Sequence, residues 1–367
     1  MRVMYTKAGF LIRLGVTLVI GAILAGCRDK VVVQPLNTPP RLAGDSTVVA
    51  AADEPFRYVA RVTDPDGPDT TVTFSAYPTW LAAAGDTLFG SPPLGAVDTS
   101  FHVSVSDGLS ADTLVVQISL APIIAFYGDS RTNHTVHRQV AARLVQSRPV
   151  AVFHSGDLVD NGTVASLWDT FNVVTSDLRA AAPFYPALGN HEYQSQLYFD
   201  NFELPGNEQW YTVMIGRICV IVLNSCVATG IGSEQYQWLS STLAGIPDSI
   251  ERVTAVFHHP PYSTGQHTED EMQLRSSWVP LFEQYGVDLV FTGHDHDYER
   301  SECGGLTYIV TGGGGAPLYD QTRQHPCSRL FLKRYHMCTI AVLPDRLVGH
   351  VYSTDGSVID RFELTSP

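Results

Sequence analysis

The chain has 367 residues, a formal net charge of −14 and a hydrophobic content of 44%. That length accommodates two packed domains beyond any processed leader. The acidic balance argues against a nucleic-acid backbone as partner, because such a partner requires a basic face.

The first segment reads as a targeting signal. Arg2, Lys7 and Arg13 accompany an apolar run over residues 15–24. The run is short for a membrane span and fits a cleaved leader. It ends in Leu24-Ala25-Gly26-Cys27, which resembles the lipobox of bacterial lipoproteins. That resemblance implies a signal peptide over residues 1–26 and lipidation of Cys27. The expected location is the bacterial cell envelope, with the exported chain held at a membrane by its lipid. Arg28 stands where an aspartate would resemble an inner-membrane retention signal, so the outer membrane is the expected one. Residues 27–41 include Pro35, Pro39 and Pro40 and read as an extended tether.

Residues 42–120 have all-β character. Short alternating apolar runs are separated by turn signals such as Asp64-Pro65-Asp66-Gly67 and Asp107-Gly108. This pattern predicts a small β-sandwich and resembles the Ig or cadherin-like modules of bacterial surface proteins. Trp80 and Leu81 read as core. Asp64 and Asp66 read as an Asp-rich turn ahead of a calcium site. Spacing or docking, rather than catalysis, is the expected task of this segment.

From residue 122 the pattern changes to strands alternating with helices. The continuous apolar run at 123–127 reads as a buried strand, and the hydrophobic stretches at 150–154, 184–188, 252–257 and 287–291 read as further strands. Helices are expected over 134–146, 163–179, 233–243 and 271–285. Each strand ends in chemistry-bearing residues: Gly128-Asp129, Gly156-Asp157, Gly189-Asn190-His191-Glu192, His258-His259-Pro260-Pro261 and Gly293-His294-Asp295-His296. Carboxylate, amide and imidazole groups at strand ends are ligands for divalent or trivalent metals. His294 and His296 are expected to point the same way along an extended segment. Late β-hairpins follow. The expected fold is α/β, with two facing mixed sheets flanked by helices, preceded by the small all-β sandwich.

The ordered motifs GD, GD, GNHE, HHPP and GHxH resemble the calcineurin-like metallophosphoesterases, which include the purple acid phosphatases. The segment Tyr308-Ile309-Val310-Thr311 and its four glycines resembles the purple acid phosphatase branch. The resemblance covers roughly residues 122–363, gives a catalytic domain over 122–367, and implies two metal ions, zinc, manganese or iron, holding a phosphorylated small-molecule substrate. Asp129, Asp157 and His296 would bind the first metal. Asp157, Asn190, His258 and His294 would bind the second, with Asp157 bridging. His191 would protonate the leaving oxygen, and Glu192 would orient it. His259 would lie behind the ligands or face the substrate.

Two departures from the family bear on the site. Arg131 replaces the histidine of the general Asp-x-His motif. It is expected to contact the phosphoryl group or to pair with Asp160. Asp160 stands where the purple branch has its iron-binding tyrosine, so a colourless protein is expected. The implied activity is hydrolysis of phosphate monoesters. Phosphodiesterase or nucleotidase activity, or a non-catalytic surface binding role, remain the alternatives.

Six cysteines occur, and Cys27 is assigned to the anchor. Export permits disulfides. Cys303 and Cys327, in loops around the glycine-rich strand, are the expected pair, and Cys219 reads as a buried thiol.

Overall fold

The computed structural model describes residues 36–67 and 69–365. The apolar leader run and Cys27 lie outside these residues. Residues 39–367 form one compact unit. Of the chain before it, only residues 36–38 are described, without regular secondary structure. Among the described residues no helix is long and apolar enough to cross a membrane.

Nine strands come first: β1 Arg41–Ala43, β2 Thr47–Ala50, β3 Phe56–Val59, β4 Arg61–Thr63, β5 Thr71–Ser75, β6 Leu81–Ala84, β7 Thr87–Gly90, β8 Thr99–Ser106 and β9 Ala111–Leu120. They form a four-stranded sheet in the order β2-β9-β8-β5, a three-stranded sheet β3-β7-β6, and the pair β1-β4. Phe56, Tyr58, Leu88, Phe101, Val103, Val116 and Ile118 fill their shared core, with Leu81 inside and Trp80 packed at its margin. The Asp64 carboxylate accepts the Asp66 N–H at 3.0 Å, a local turn contact.

The remainder alternates strand and helix: β10 Ile123–Tyr127, α1 His134–Ser147, β11 Ala151–His154, α2 Ala165–Ala181, β12 Phe184–Pro186, α3 Gln196–Asn201, β13 Tyr211–Ile215, β14 Ile218–Val222, α4 Glu234–Ala244, β15 Arg252–Val256, α5 Trp278–Tyr285 and β16 Leu289–Thr292. Six strands close the chain: β17 Tyr298–Cys303, β18 Leu306–Thr311, β19 Ser328–Leu332, β20 His336–Val342, β21 Arg346–Ser353 and β22 Val358–Thr365. They build a six-stranded sheet, β12-β11-β10-β20-β21-β22, and a seven-stranded sheet, β13-β14-β15-β16-β18-β17-β19. Both mix parallel and antiparallel pairs.

The period of two along each strand explains the layers. Ile124 and Phe126 point between the sheets, while Ala125 and Tyr127 point at α1 and α2. Leu289 and Phe291 meet the same inner core, while Val290 faces the core under α4 and α5. The rings of Phe126 and Phe291 stack across the two sheets with centroids 3.8 Å apart. Strands buried on both faces must read as continuous apolar runs, which is why periodicity alone could not assign their faces.

The N-terminal strands are fixed to β21 and β22. Arg361 forks onto Glu54 at 2.6 and 2.7 Å, and the Tyr352 hydroxyl donates to Asp53 at 2.7 Å. Ala51 and Ala121 pack with Ala341, Leu343 and Val348 beside these polar contacts.

One expected helix is shorter than its pattern. Of residues 271–285, only Trp278–Tyr285 is α-helical, preceded by a 3-10 turn over Leu274–Ser276. Gln273 adopts a left-handed φ of 56°, which breaks the helix. Pro280 falls in the first turn of α5, where its missing N–H costs nothing. The helix expected at 163–179 begins two residues later, at Ala165.

Candidate metal centre

Five strand ends deliver the polar residues to one place. β10 leads to Asp129, β11 to Asp157, β12 to Asn190, β15 to His258, and β16 to His294 and His296. Asp129, Asp157 and His294 all have left-handed φ values, of 54°, 58° and 69°. Non-glycine residues held there carry local strain, which is characteristic of functional turns. His294 and His296 therefore do not share an extended segment. The backbone turns between them, and they reach the centre from different directions. Gly293 is required for close approach, since a Cβ there would lie 2.2 Å from Asp129 Oδ2. Gly156, at φ +100°, makes the turn before Asp157.

The histidines are held from behind by oxygen acceptors. His258 Nδ1 lies 2.9 Å from the Ser155 carbonyl, His296 Nδ1 lies 2.8 Å from the Pro317 carbonyl, and His294 Nε2 lies 3.2 Å from Glu271 Oε2. Each outer nitrogen therefore carries the hydrogen, and each inner nitrogen presents a bare lone pair. His258 Nε2 and His294 Nδ1 face each other at 3.3 Å, and both face Asn190 Oδ1, at 3.0 and 3.2 Å. His258 Nε2 is also 3.4 Å from Asp157 Oδ1, and His296 Nε2 is 3.6 Å from Asp129 Oδ1. Acceptors converge on acceptors, an arrangement that fits a bound cation.

Burial strengthens the point. Asp129 is 0% and Asp157 1% exposed. Burial, followed by the charge of Asp157, pushes the Asp129 carboxyl well above its usual range. Burial holds His258 and His294 far below the ordinary imidazole value and lowers His296 to about 4. Neutral imidazoles and buried carboxylates form a donor set suited to hard or borderline metals. Donors from Asp129, Asp157 and His258 lie within 4.8 Å of one another, as do donors from His258, His259 and His294. His258 belongs to both groups. The His259 side chain is tied at Nδ1 to Ser225 Oγ, 2.8 Å away, and its ring packs 4.4 Å from that of His294.

Arg131 crosses the front of this set. Its Nε lies 3.2 Å from Asp157 Oδ2, Nη1 2.9 Å from Asp160 Oδ1, and Nη2 3.3 Å from His296 Nε2. Its positive charge is set against the carboxylates of Asp129, Asp157 and Asp160, which raise its pKa further. His191 donates from Nδ1 to the Asp160 carbonyl at 2.7 Å, which leaves Nε2 on the site side, 3.8 Å from Asp157 Oδ2.

Glu192 does not orient His191. Its carboxylate is fully buried and accepts four backbone N–H groups, from Gly189 at 2.7 Å, Asp157 and Leu158 at 2.9 Å, and Val159 at 3.3 Å. It ties the Asp157 loop to the Asn190 turn. Burial, and then the charge of Asp157, push its pKa up to about 8 despite these donors.

Sequence reasoning missed three neighbours of the centre. The His267 ring stacks on His294 at 3.8 Å, and its Nδ1 lies 3.0 Å from Asp295. Glu271 holds His294 from behind, and the Tyr319 ring stacks on His296 at 4.1 Å. None stands at a strand end beside a glycine. The signal that was available was Asp295, a second acid between the two histidines that requires a partner. Cys303 and Cys327 are joined in a disulfide, and Cys219 is a buried free thiol.

Comparison with known proteins matches residues 124–298 to the calcineurin-like phosphoesterase family model. These residues carry the calcineurin-like phosphoesterase pattern. Purple acid phosphatase 15 of Arabidopsis thaliana is 31% identical over 172 residues, 40% of this chain and 32% of the plant protein. A purple acid phosphatase of Glycine max is 29% identical over 174 residues, 42% of this chain and 38% of its own length. The chain thus spans less than half the length of these relatives. In three dimensions, the purple acid phosphatase PPD1 from yellow lupin seeds superposes with a TM-score of 0.61 at 16% identity, covering 89% of this chain and 74% of that one. GAP50, described as the anchor in the inner membrane complex of Plasmodium, gives 0.58 at 18% identity, covering 67% and 89%. The fold is that of the metallophosphoesterases, and the lupin coverage reaches into the N-terminal strands.

Proposed function

We propose that this chain is a dinuclear-metal-dependent phosphoesterase that hydrolyses phosphate monoesters outside the cytoplasm. The observation that carries the reading is the convergence of Asp129, Asp157, Asn190, His258, His294 and His296 with their lone pairs turned inward. Two metal ions held there would acidify a water and neutralise the phosphoryl oxygens.

The chain's own residues supply the rest. Asp157 turns its two carboxylate oxygens to different neighbours. Its Oδ1 faces His258, and its Oδ2 faces Arg131 and His191. The Arg131 guanidinium is free to exchange the Asp160 contact for a forked contact to a phosphoryl oxygen. His191, oriented by the Asp160 carbonyl, holds the proton that passes to the departing oxygen. Asn190 contributes a neutral oxygen, so the centre retains positive character towards an anion.

We further propose the organisation and location given by the sequence: a lipoprotein signal, a tether, an Ig or cadherin-like module over 42–120, and a catalytic part over 122–367 anchored at the bacterial envelope through Cys27. The lipobox-like Leu24-Ala25-Gly26-Cys27 supports the anchor. The two small sheets with a core of their own support the module.

The deciding experiment is Asp157→Asn. It should abolish hydrolysis of an aryl phosphate and lower bound metal to one ion per chain or fewer. Full metal content with wild-type turnover would refute the bridging assignment.

A further inference from the structure

A groove of about 400 Å³ opens directly off the candidate centre. Asn190 belongs to both, facing the converging histidines through its side chain and lining the groove. Gly189, Tyr193, Gln194, Cys226, His259 and Met272 form the rest of its wall. We propose that this groove receives the leaving group of the ester, and that it selects monoesters of uncharged aromatic alcohols over polyphosphates and nucleotides. The proposal rests on the phosphoesterase reading.

Position comes first. Tyr193 closes the turn that carries Asn190 and His191. Its N–H bonds the Asn190 carbonyl at 3.4 Å, and its φ of 51° turns the side chain out of the chain path. The Tyr193 ring lies 6.3 Å from the His191 ring and is 59% exposed. A leaving oxygen that takes its proton from His191 therefore places its substituent beside this exposed ring. His191 also neighbours the Arg131–Asp160 ion pair, which offers an uncharged ring no apolar surface.

The wall chemistry comes second. Tyr193 presents an aromatic face, Met272 a thioether and Cys226 a thiol, all of which pack well against a planar ring. Gln194 is tied through its carbonyl oxygen to Asn224 Nδ2 at 3.0 Å, which steadies the polar edge. The residues lining the groove include no lysine or arginine. Glu271, next to Met272, places a half-exposed carboxylate 3.2 Å from His294. A second phosphate group entering here would find no lysine or arginine on the lining to offset its charge, and an unpaired charge in a partly buried site is costly.

The test is a kinetic panel on the metal-loaded full-length protein with phenyl phosphate, methyl phosphate, pyrophosphate and ATP. kcat/KM for phenyl phosphate should exceed that for pyrophosphate and ATP by on the order of a hundredfold. Tyr193→Ala should lower the phenyl-to-methyl ratio of kcat/KM roughly three- to tenfold, the range set by losing one ring contact. Met272→Lys should move selectivity the other way, raising pyrophosphate hydrolysis relative to phenyl phosphate by roughly tenfold. It decides the matter if Tyr193→Ala fails to fold. ATP or pyrophosphate turned over as well as phenyl phosphate, or ratios unmoved in both variants, would overturn the groove assignment while leaving the phosphoesterase reading intact. No hydrolysis of any ester by protein with full metal content would overturn both.

Discussion

Glu192→Gln probes the support beneath the centre. The native carboxylate uses both oxygens, each accepting two backbone N–H groups. A glutamine keeps one oxygen and turns an NH2 group towards the other two donors. Above about pH 8, where the carboxyl is ionised, two bonds to a charged acceptor are lost, at about 1.5–3 kcal/mol each, and two donors are left facing a donor. Removing the negative charge relieves repulsion from Asp157, which offsets about 1 kcal/mol of this. A net loss of about 2–5 kcal/mol follows, and for a unit of this size it lowers Tm by on the order of 3–7 °C. Because three of the four donors belong to the Asp157 loop, metal retention should fall in parallel. Thermal unfolding, with metal content measured after dialysis, reads both effects. Glu192→Asp keeps the charge but falls one methylene short, and should show an intermediate loss. A Tm within 1 °C of wild type (roughly the resolution of a ~1 kcal/mol effect) and full metal content in Glu192→Gln would refute the reasoning.

The remaining predictions concern other parts of the molecule. Arg131→Ala should raise KM and the phosphate inhibition constant about tenfold, the effect of one charge-assisted contact, with bound metal little changed; wild-type kinetics would remove the substrate contact. His137 is fully buried beside the Tyr127 hydroxyl, and burial depresses its pKa to about 3. The unfolded chain binds that proton more readily, so stability is complete above about pH 6.5 and declines as pH falls towards the folded value, by about 2 kcal/mol at pH 5. His137→Gln should flatten the fall in Tm between pH 7 and pH 5; parallel profiles for both proteins would contradict this. Breaking the Cys303–Cys327 bond by Cys303→Ser and Cys327→Ser should cost about 3 kcal/mol for a loop of its size, read by urea unfolding. Two alkylatable thiols at these positions in the oxidised wild-type protein would remove the bond itself.

The sequence alone determined the strands and the residues at their ends. Runs such as Ile123–Tyr127 and residues 289–291 are apolar at every position, so they read as buried strands, and each ends where polar residues begin. That local rule points to Asp129, Asp157, Asn190, His294 and His296, while the family resemblance singles out His258 from its neighbour His259. The starts of α1 and α4, unlike those of α2 and α5, matched the pattern because they are set locally: Asn133 and Ser233 cap them through side chains acting within four residues of themselves. What only the tertiary structure decided depends on contacts between distant residues. The alternation within an all-apolar strand has no polar face to fix it, so only the packed sheets assign Phe126 to the inner core and Tyr127 to the helices. Glu192 was read as a neighbour of His191, yet its acceptors serve N–H groups some 33 to 35 residues earlier. The loop carrying His267 and Glu271 was read partly as helix because its composition permits one. A left-handed turn at Gln273 leads it instead to Asp295 and His294, where a buried carboxylate and a buried imidazole require partners that no local pattern names.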